Sequence, residues 1–477
     1  MQRSGLKPGR APVALSVKLA AALLSVLVAA AGCQNNSSSP PKAAAPTEPG
    51  TTQTAVSQSA PDRSADKGTA VPEKQAEPDV AVEPTLKPDN PADIAALKAA
   101  SAALRKNATG SVIGVDLAEG NGDDSTLAHL KGLPSLEELS LSGPSYTAQA
   151  LAGLGDLSGL RRLSLDTTNT NNSVVAALAR LSNLVVLNLF KTDVRDDGLK
   201  HLVALHKLRD LDLRRTLTSD AGVANLKGLD ALKALKLQDT RVTEACLDNV
   251  LALPSLERLG LSGANFGDAT TQKIGKVTRL KELEMDDSIV SDAGLAPLTA
   301  LSQLEVLHLR RTRIGDEGLA HLKGLSRMKT LMLRDTLVGD AGLASLEGMP
   351  NMDTLELSEL EITDQGLAHL AGLKKMARLE LWSTKISPAS AATLQGLTNL
   401  VELNLNSCDF NDEALAKLAG LKRLEKLNLA HTQVTDAGLE HLKGLVRLRE
   451  LDLTSVNATP DVVEKLQKAL PRCQIKQ

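Results

Sequence analysis

The hydrophobic positions of this chain recur with a fixed period of 24 residues. The pattern Leu-x-x-Leu-x-Leu, with Met at a few of these positions, begins fourteen times without an insertion, at Leu136, Leu160, Leu184, Leu208, Leu232, Leu256, Leu280, Leu304, Met328, Met352, Met376, Leu400, Leu424 and Leu448. A degenerate copy with Val112, Val115 and Leu117 precedes them in the same register. Such a period is typical of stacked repeats in which each unit contacts only its neighbours. We therefore predict one repeat domain rather than several globular domains.

Each repeat changes from a strand pattern to a helix pattern. In the copy from Leu304 to Arg327, Leu307 and Leu309 alternate with polar residues, which predicts a short strand with its leucines facing inward. Leu319 and Leu322 recur at the spacing of one helical face, which predicts a short helix before the Lys-Gly turn. Stacking such units aligns the strands in a parallel sheet and places the helices in a second layer.

Three smaller positions connect the strand to the helix. We expect the hydroxyl of Thr312 to bond to the backbone where the strand ends, in a ladder that runs from repeat to repeat. The β-branched Ile314 is predicted to be buried. Asp316 stands where the helix begins, and we expect its carboxylate to cap the free amides of that helix.

Both ends of a repeat array need a cover for the exposed core. The stretch Ala92–Leu104 carries apolar residues on one helical face and no helix breaker, so we predict a helical cap within residues 91–111. After a predicted helix from Asp461 to Leu470, residues 471–477 place Ile475 at an inward position, and we predict a closing strand there.

The first 90 residues have a different character. Residues 1–32 combine four basic side chains with a short apolar run and small residues before Cys33, which resembles the lipobox of bacterial lipoproteins. The resemblance implies a cleaved signal segment, a lipid on Cys33 and localisation to the bacterial cell envelope. Residues 33–90 are rich in Pro, Ser and Ala without apolar periodicity, which predicts a disordered tether.

The repeat itself resembles a known family. The pattern L-x-x-L-x-L-x-x-T-x-V-T-D-x-G-L-x-x-L-x-x-L resembles leucine-rich repeats, above all the ribonuclease-inhibitor-like and cysteine-containing classes and the leucine-rich-repeat lipoproteins of bacteria. The resemblance spans residues 112–470. It implies an α/β solenoid of about 15 units of 24 residues, with a curved parallel β-sheet on the concave face and short helices on the convex face.

Residues that could carry chemistry follow the repeat instead of converging. Cys246 and Cys408 replace small residues of the repeat and are predicted to be buried, too far apart for a disulfide. Two series occupy one position each of the repeat, in different copies: His129, His201, His321, His369 and His441, and Asp196, Asp220, Asp268, Asp292, Asp316, Asp340, Asp364, Asp412 and Asp436. We predict no metal site, no cofactor and no enzymatic activity.

Candidate binding residues lie where the strands point outward. Phe190 and Trp382 occupy the same outward position eight repeats apart, and aromatic residues are enriched at binding hot spots. An acidic group, Glu282, Glu284 and Asp286, precedes a basic group with His308, Arg310 and Arg334. Two alternatives stay open: these charges orient a charged partner, or they neutralise one another as cross-strand pairs.

The sequence favours a non-enzymatic, lipid-anchored envelope scaffold that binds a protein partner on its strand face as a monomer. With 54 basic and 57 acidic residues, the chain lacks the basic surface that nucleic-acid binding requires. A structural spacer or adhesion element is the alternative. A ubiquitin-ligase-type substrate receptor is disfavoured because no adaptor-binding segment is recognisable, and glycan binding because only 1% of the residues are aromatic.

Overall fold

A computed structural model describes residues 87–477 of the chain. The predicted signal segment 1–32, Cys33 and the predicted tether as far as residue 86 lie outside the described residues. Among the helices of residues 87–477, none combines the length and the apolar character that a membrane crossing needs.

Short strands and short helices alternate along residues 87–477. The strands are β1 Ala103–Lys106, β2 Val112–Leu117, β3 Glu138–Ser142, β4 Arg162–Asp166, β5 Val186–Asn188, β6 Asp210–Asp212, β7 Ala234–Lys236, β8 Arg258–Gly260, β9 Glu282–Glu284, β10 Val306–His308, β11 Thr330–Met332, β12 Thr354–Glu356, β13 Arg378–Glu380, β14 Glu402–Asn404, β15 Lys426–Asn428, β16 Glu450–Asp452 and β17 Gln474–Lys476. The α-helices are α1 Pro91–Ala99, α2 Asp124–Ala128, α3 Ala148–Ala152, α4 Asn172–Leu178, α5 Asp196–Leu199, α6 Asp220–Ala224, α7 Leu247–Leu251, α8 Asp268–Ile274, α9 Asp292–Leu295, α10 Asp316–His321, α11 Asp340–Leu343, α12 Asp364–Ala368, α13 Ala391–Leu394, α14 Asp412–Lys417, α15 Asp436–Leu439 and α16 Pro460–Ala469.

Many of these helices continue into, or begin from, a tighter 3-10 turn. The predicted helix through Leu319 and Leu322 is therefore two pieces, α10 and the 3-10 helix that starts at Leu322. The 3-10 helices are His129–Gly132, Gly153–Asp156, Leu202–Ala204, Glu244–Cys246, Ala296–Ala300, Leu322–Gly324, Ala344–Leu346, His369–Gly372, Pro388–Ser390, Leu418–Gly420 and Glu440–Gly444.

The 17 strands form one open sheet. From β2 onward every neighbouring pair is parallel and offset by one repeat, so that Leu283, Leu307 and Leu331 lie side by side. The inward leucines form a continuous core, in which Leu304, Leu307 and Leu309 are completely buried. These features confirm the predicted α/β repeat architecture with a parallel sheet and a layer of short helices.

The chain leaves each strand through a turn that the pattern did not indicate. Arg311 has φ +53°, in the left-handed region that non-glycine residues rarely adopt. The residues in its position in eleven further repeats have φ between 52° and 62°: Thr167, Lys191, Arg215, Asp239, Asp287, Asp335, Glu359, Ser383, Ser407, His431 and Ser455. The hydroxyl of Thr312 donates to the carbonyl of Leu309 at 2.7 Å. The predicted backbone bond is confirmed, but it holds the turn within its own repeat and forms no ladder between repeats.

The aspartates do not cap their own helices, which corrects the expectation for Asp316. Its Oδ1 accepts the backbone N–H of Gly339, at the start of the next repeat's helix, at 2.7 Å. Asp340 likewise accepts the N–H and the hydroxyl of Thr363, at 2.8 and 2.5 Å. Each carboxylate contacts the start of the helix in the next repeat, because it lies closer to that helix than to the free amides of its own helix.

In most of these contacts a glycine lies opposite the carboxylate. A Cβ on Gly342 would lie 2.5 Å from Oδ1 of Asp316, and a Cβ on Gly366 would lie 2.3 Å from Oδ1 of Asp340. The Asp-x-Gly spacing therefore joins two successive repeats, with the carboxylate of one above the glycine of the next.

The N-terminal cap is a helix followed by a strand. Helix α1 ends at Ala99, five residues before the expected end, and Leu104 belongs to β1, which pairs antiparallel with β2. The positive φ of Ser101, 61°, reverses the chain between them. At the other end β17 pairs in parallel with β16, and Ile475 lies beside Leu451.

Candidate functional site: the strand face

The outward residues of the sheet form one surface, which we call the strand face. It consists of the side chains two, four and six residues after the first apolar residue of each repeat, such as Val306, His308 and Arg310. Most of these side chains are partly exposed, whereas the leucines between them are buried. Because the core positions are uniform and these positions vary, the strand face is where the repeats differ from one another.

Phe190 lies against two arginines of the following repeat. The guanidinium carbons of Arg214 and Arg215 lie 5.2 and 5.6 Å from the centre of its ring, within range of a cation–π contact. Both arginines also pair with carboxylates: Nη2 of Arg214 with Asp212 at 2.6 Å, and Nε of Arg215 with Asp239 at 3.0 Å. Phe190 therefore belongs to a patch whose cations already have partners.

The predicted acidic group is partly compensated. Nζ of Lys236 lies 3.5 Å from Glu284, and the amide of Gln238 donates to Glu284 at 2.5 Å. Burial raises the pKa of Glu282, and its hydrogen bond with Glu284 adds to the shift. Burial opposes ionisation of Glu284 too, but the Glu282 hydrogen bond and Lys236 keep its pKa below the ordinary value. Glu282 thus holds a proton more readily than an ordinary glutamate, and Glu284 loses its proton more readily.

His308 is partly buried between these charged groups. Burial lowers its pKa, although the neighbouring carboxylates of Glu284 and Asp286 favour the protonated ring. The histidine is therefore neutral at pH 7 and contributes no positive charge to the predicted basic group.

Arg310 joins carboxylates from two sides. Its Nη1 lies 3.1 Å from Asp286 in the preceding repeat, and its Nε donates to Glu356 two repeats further on. Glu356 is only 8% exposed, so its charge depends on this arginine. Arg311 pairs with Asp287 in the same manner. Of the two alternatives for the charged groups, the structure supports mutual neutralisation across the strands.

Trp382 and Arg334 form a second aromatic patch with a different charge balance. The guanidinium carbon of Arg334 lies 6.0 Å from the centre of the Trp382 ring and reaches over the intervening repeat, where Ser358 is fully buried. Within residues 87–477 Arg334 forms no ion pair with a carboxylate, and its Nε has no hydrogen-bond partner. This arginine is held by an aromatic ring and makes no ion-pair contact, although its charge helps to lower the pKa of Asp287.

Two grooves lie on the strand face, near its two ends. The first, about 540 Å³, is lined by small outward residues such as Gly114, Ser140 and Ser164. The second, about 360 Å³, is lined by Glu380, Glu402, Asn404, Asn428 and Asp452 among others. The sequence did not indicate either groove, since each arises where short side chains of several repeats adjoin longer ones.

No metal-binding cluster emerges from the residues that the structure covers. Within 87–477 there is no group of three or more His, Cys, Asp or Glu side chains that could hold a metal. Cys246 and Cys408 are 0% and 4% exposed, as predicted. Burial raises the pKa of Cys246 to about 12, which leaves its thiol unreactive at neutral pH.

Similarity to known proteins concerns the repeats. The profile of the leucine-rich repeat region matches residues 195–474, which is more than half of the chain. No curated protein matches. Among solved structures, an internalin of Listeria monocytogenes is 20% identical and has a TM-score of 0.41. The match covers 81% of this chain and 94% of the internalin chain. A leucine-rich-repeat protein of Leptospira interrogans is 20% identical and has a TM-score of 0.48. That match covers 73% of this chain and 92% of the Leptospira chain.

The profile match covers the same strands, turns and helices whose register is described above. It agrees with the repeated leucine core, the parallel sheet and the short helical layer. The chain belongs to the leucine-rich repeat family.

Proposed function

We propose that this protein is a non-enzymatic, lipid-anchored scaffold of the bacterial cell envelope that binds a protein partner through its strand face. Repeat solenoids use an extended sheet surface for binding. The observation that carries the proposal is the patch of Arg334 and Trp382, where an aromatic side chain holds a cation that has no carboxylate partner within residues 87–477. Tryptophan and arginine are the side chains most enriched at binding hot spots.

The choice of residues to substitute follows from the contacts. Arg310 is unsuitable, since its removal would leave Glu356 buried and unpaired. Trp382→Ala combined with Arg334→Ala removes the patch without breaking an ion pair of the described residues. Phe190→Ala is the matched control, because Phe190 occupies the same position in a repeat whose arginines are already paired.

The test is affinity capture from solubilised envelopes with the full-length chain as bait. We expect the double variant to lose the partner that wild type captures, by a factor of about 30 or more in affinity, since hot-spot truncations cost about 2 kcal/mol or more. The Phe190→Ala protein should retain that partner. Equal capture by wild type and by the double variant would contradict a binding site at this patch.

The membrane anchor has its own test. We expect Cys33→Ser to abolish metabolic labelling with a radioactive fatty acid and to move the protein from the membrane fraction to the soluble fraction, because the thiol is the acceptor for the lipid. Retained labelling in this variant would contradict the proposed lipidation site.

A further inference from the structure

The strand-face groove at the C-terminal end of the sheet contains one carboxylate that differs from the others. We propose that Glu380 receives the cationic side chain of a lysine or arginine from the protein partner. This inference rests on the proposed function, because it specifies what part of the partner occupies the strand face.

Glu380 is the unpaired member of its position in the repeat. Three described repeats carry a glutamate four residues after the first apolar residue. Glu284 pairs with Lys236 at 3.5 Å, and Glu356 pairs with Arg310. Within residues 87–477 Glu380 forms no ion pair, and its Oε2 accepts one hydrogen bond, from the amide of Asn404 at 2.7 Å.

The other carboxylates that line the groove already have cations. Glu402 lies 3.4 Å from Arg378, and Glu450 lies 3.5 Å from Lys426. Asp452 lies 3.0 Å from Lys476. The uncompensated negative charge of the groove is therefore concentrated on Glu380.

Backbone contacts do not use this carboxylate either. In the same position of other repeats, Asn404, Asn428 and Asp452 each accept the N–H of the residue two places later, at 2.9 to 3.0 Å. Glu380 has a longer side chain and makes no such bond. Its Oε1 has no hydrogen-bond partner within residues 87–477 and is left to accept one from a ligand.

The surroundings of Glu380 favour a cation over an anion. Burial raises its pKa, and the neighbouring Glu356 and Glu402 add to the shift, so a positive group would relieve an unfavourable charge. Trp382 follows two residues later, in the turn after β13, where its ring lies over Arg334, and it is not among the residues that line the groove.

The size and the ligand set of the groove narrow the class of cation. A volume of about 360 Å³ is at the lower end of the range for ligand sites, about 300–1,000 Å³, and admits a single long side chain. A calcium ion would need six to eight oxygen ligands, and no cluster of three metal-binding side chains occurs in the described part of the chain. A basic side chain is the occupant that fits both conditions.

The chain contains one tryptophan, in the turn directly after the strand of Glu380, so its fluorescence is a reporter of binding close to this residue. The full-length protein is titrated with acetyl-Lys-Lys-Lys-amide, and with acetyl-Glu-Glu-Glu-amide as the probe of opposite charge. We expect a saturable change in Trp382 emission with the lysine peptide only. Glu380→Gln should weaken this binding at least fivefold, while Glu282→Gln, which removes a carboxylate four repeats earlier on the same face, should bind as wild type.

Thermal unfolding shows whether the Glu380→Gln protein is folded, and we expect a melting temperature equal to or above that of wild type because an unpaired charge is removed. Unchanged lysine-peptide binding in Glu380→Gln would overturn the inference, as would an equal loss in Glu282→Gln. If either of these peptide results is found while the double variant Trp382→Ala, Arg334→Ala still loses the partner in affinity capture, the proposed function stands without the cation site. If the peptide result holds but capture does not depend on the strand face, the proposed function fails instead.

Discussion

The patches around Phe190 and Trp382 occupy the same position of the repeat and yet differ in charge balance. Arg214 and Arg215 contact Phe190 and are both paired with carboxylates. Arg334 contacts Trp382 without such a partner in the described residues, and Glu380, two residues before Trp382, forms no ion pair there. The comparison teaches that an outward aromatic residue is not by itself a sign of binding, since what separates the two patches is whether neighbouring charges are already satisfied.

The largest expected effect is a loss of stability from a substitution in the repeat directly before that of Trp382. Gly366→Ala places a methyl group 2.3 Å from Oδ1 and 2.9 Å from Cα of Asp340, and the carboxylate is held by Thr363. We expect a loss of about 1–3 kcal/mol in the free energy of unfolding, the usual range for overpacking. Chemical denaturation measures it.

The same repeat provides the matched control for this substitution. Gly372→Ala adds its methyl group where no atom lies within 4 Å, and we expect a change within about 0.5 kcal/mol. Equal stabilities of the two alanine variants would show that the carboxylate of Asp340 does not restrict the glycine position.

A smaller effect should distinguish the arginines of the two patches. Arg214→Met breaks the ion pair with Asp212, a residue with only 15% of its side chain exposed, and should cost about 1–2 kcal/mol of unfolding free energy. Arg334→Met removes no ion pair of the described residues and should stay within about 0.5 kcal/mol. Denaturation midpoints of the two variants give the comparison, and equal losses would mean that Arg334 is as important for folding as Arg214.

The smallest effect concerns the pH dependence of stability. The pKa of Glu380 is raised above its ordinary value of 4.5 by burial and by neighbouring carboxylates. The folded chain therefore binds this proton more tightly than the unfolded chain, so wild type should lose stability relative to Glu380→Gln as the pH rises from about 4.5 through the raised value. Below pH 4 the difference should vanish, because the carboxyl group is then protonated in both states.

We expect this difference to reach at most about 1 kcal/mol at pH 7, since the carboxyl group keeps some access to water. Thermal unfolding of both proteins between pH 4 and pH 7 measures it. A difference that grows as the pH falls would contradict the raised pKa.

Much of the fold could be predicted because it depends on residues within one repeat. The inward Leu307 and Leu309, the buried Ile314 and the backbone bond of Thr312 follow from period and residue type alone. The closing strand could be anticipated by extending the count to Ile475. The left-handed turn at Arg311 could not, because the residues there share no preference that marks such a conformation.

The strand face was less predictable because its contacts join different repeats. Glu356 is 46 residues from Arg310, and whether they meet depends on side-chain length and on the residues between them. Trp382 and Arg334 were chosen for their residue type, but their contact across Ser358 requires coordinates. The groove at Glu380 emerged only once each neighbouring carboxylate could be matched with its cation.

One signal in the sequence could have revealed the role of the aspartates. Where a repeat has Pro388 in the aspartate position, the following repeat has Ala414 in place of the glycine. Behind the aspartates this position holds glycine in most repeats, but Ala150, Cys246, Ser390 and Val462 follow Asp124, Asp220, Asp364 and Asp436. The frequent glycine indicates a close approach of the carboxylate from the preceding repeat, although glycine is not the only residue that is accommodated there.

The Asp-x-Gly contact also bears on how such an array can grow or shrink in evolution. Duplication or loss of 24 residues within a stretch of Asp-x-Gly repeats leaves every carboxylate above a glycine, wherever the recombination point falls. The repeats of Ala150, Cys246 and Ser390, which follow Asp124, Asp220 and Asp364, show that a small side chain is accommodated there as well. The number of repeats is therefore free to change wherever this carboxylate contact is kept.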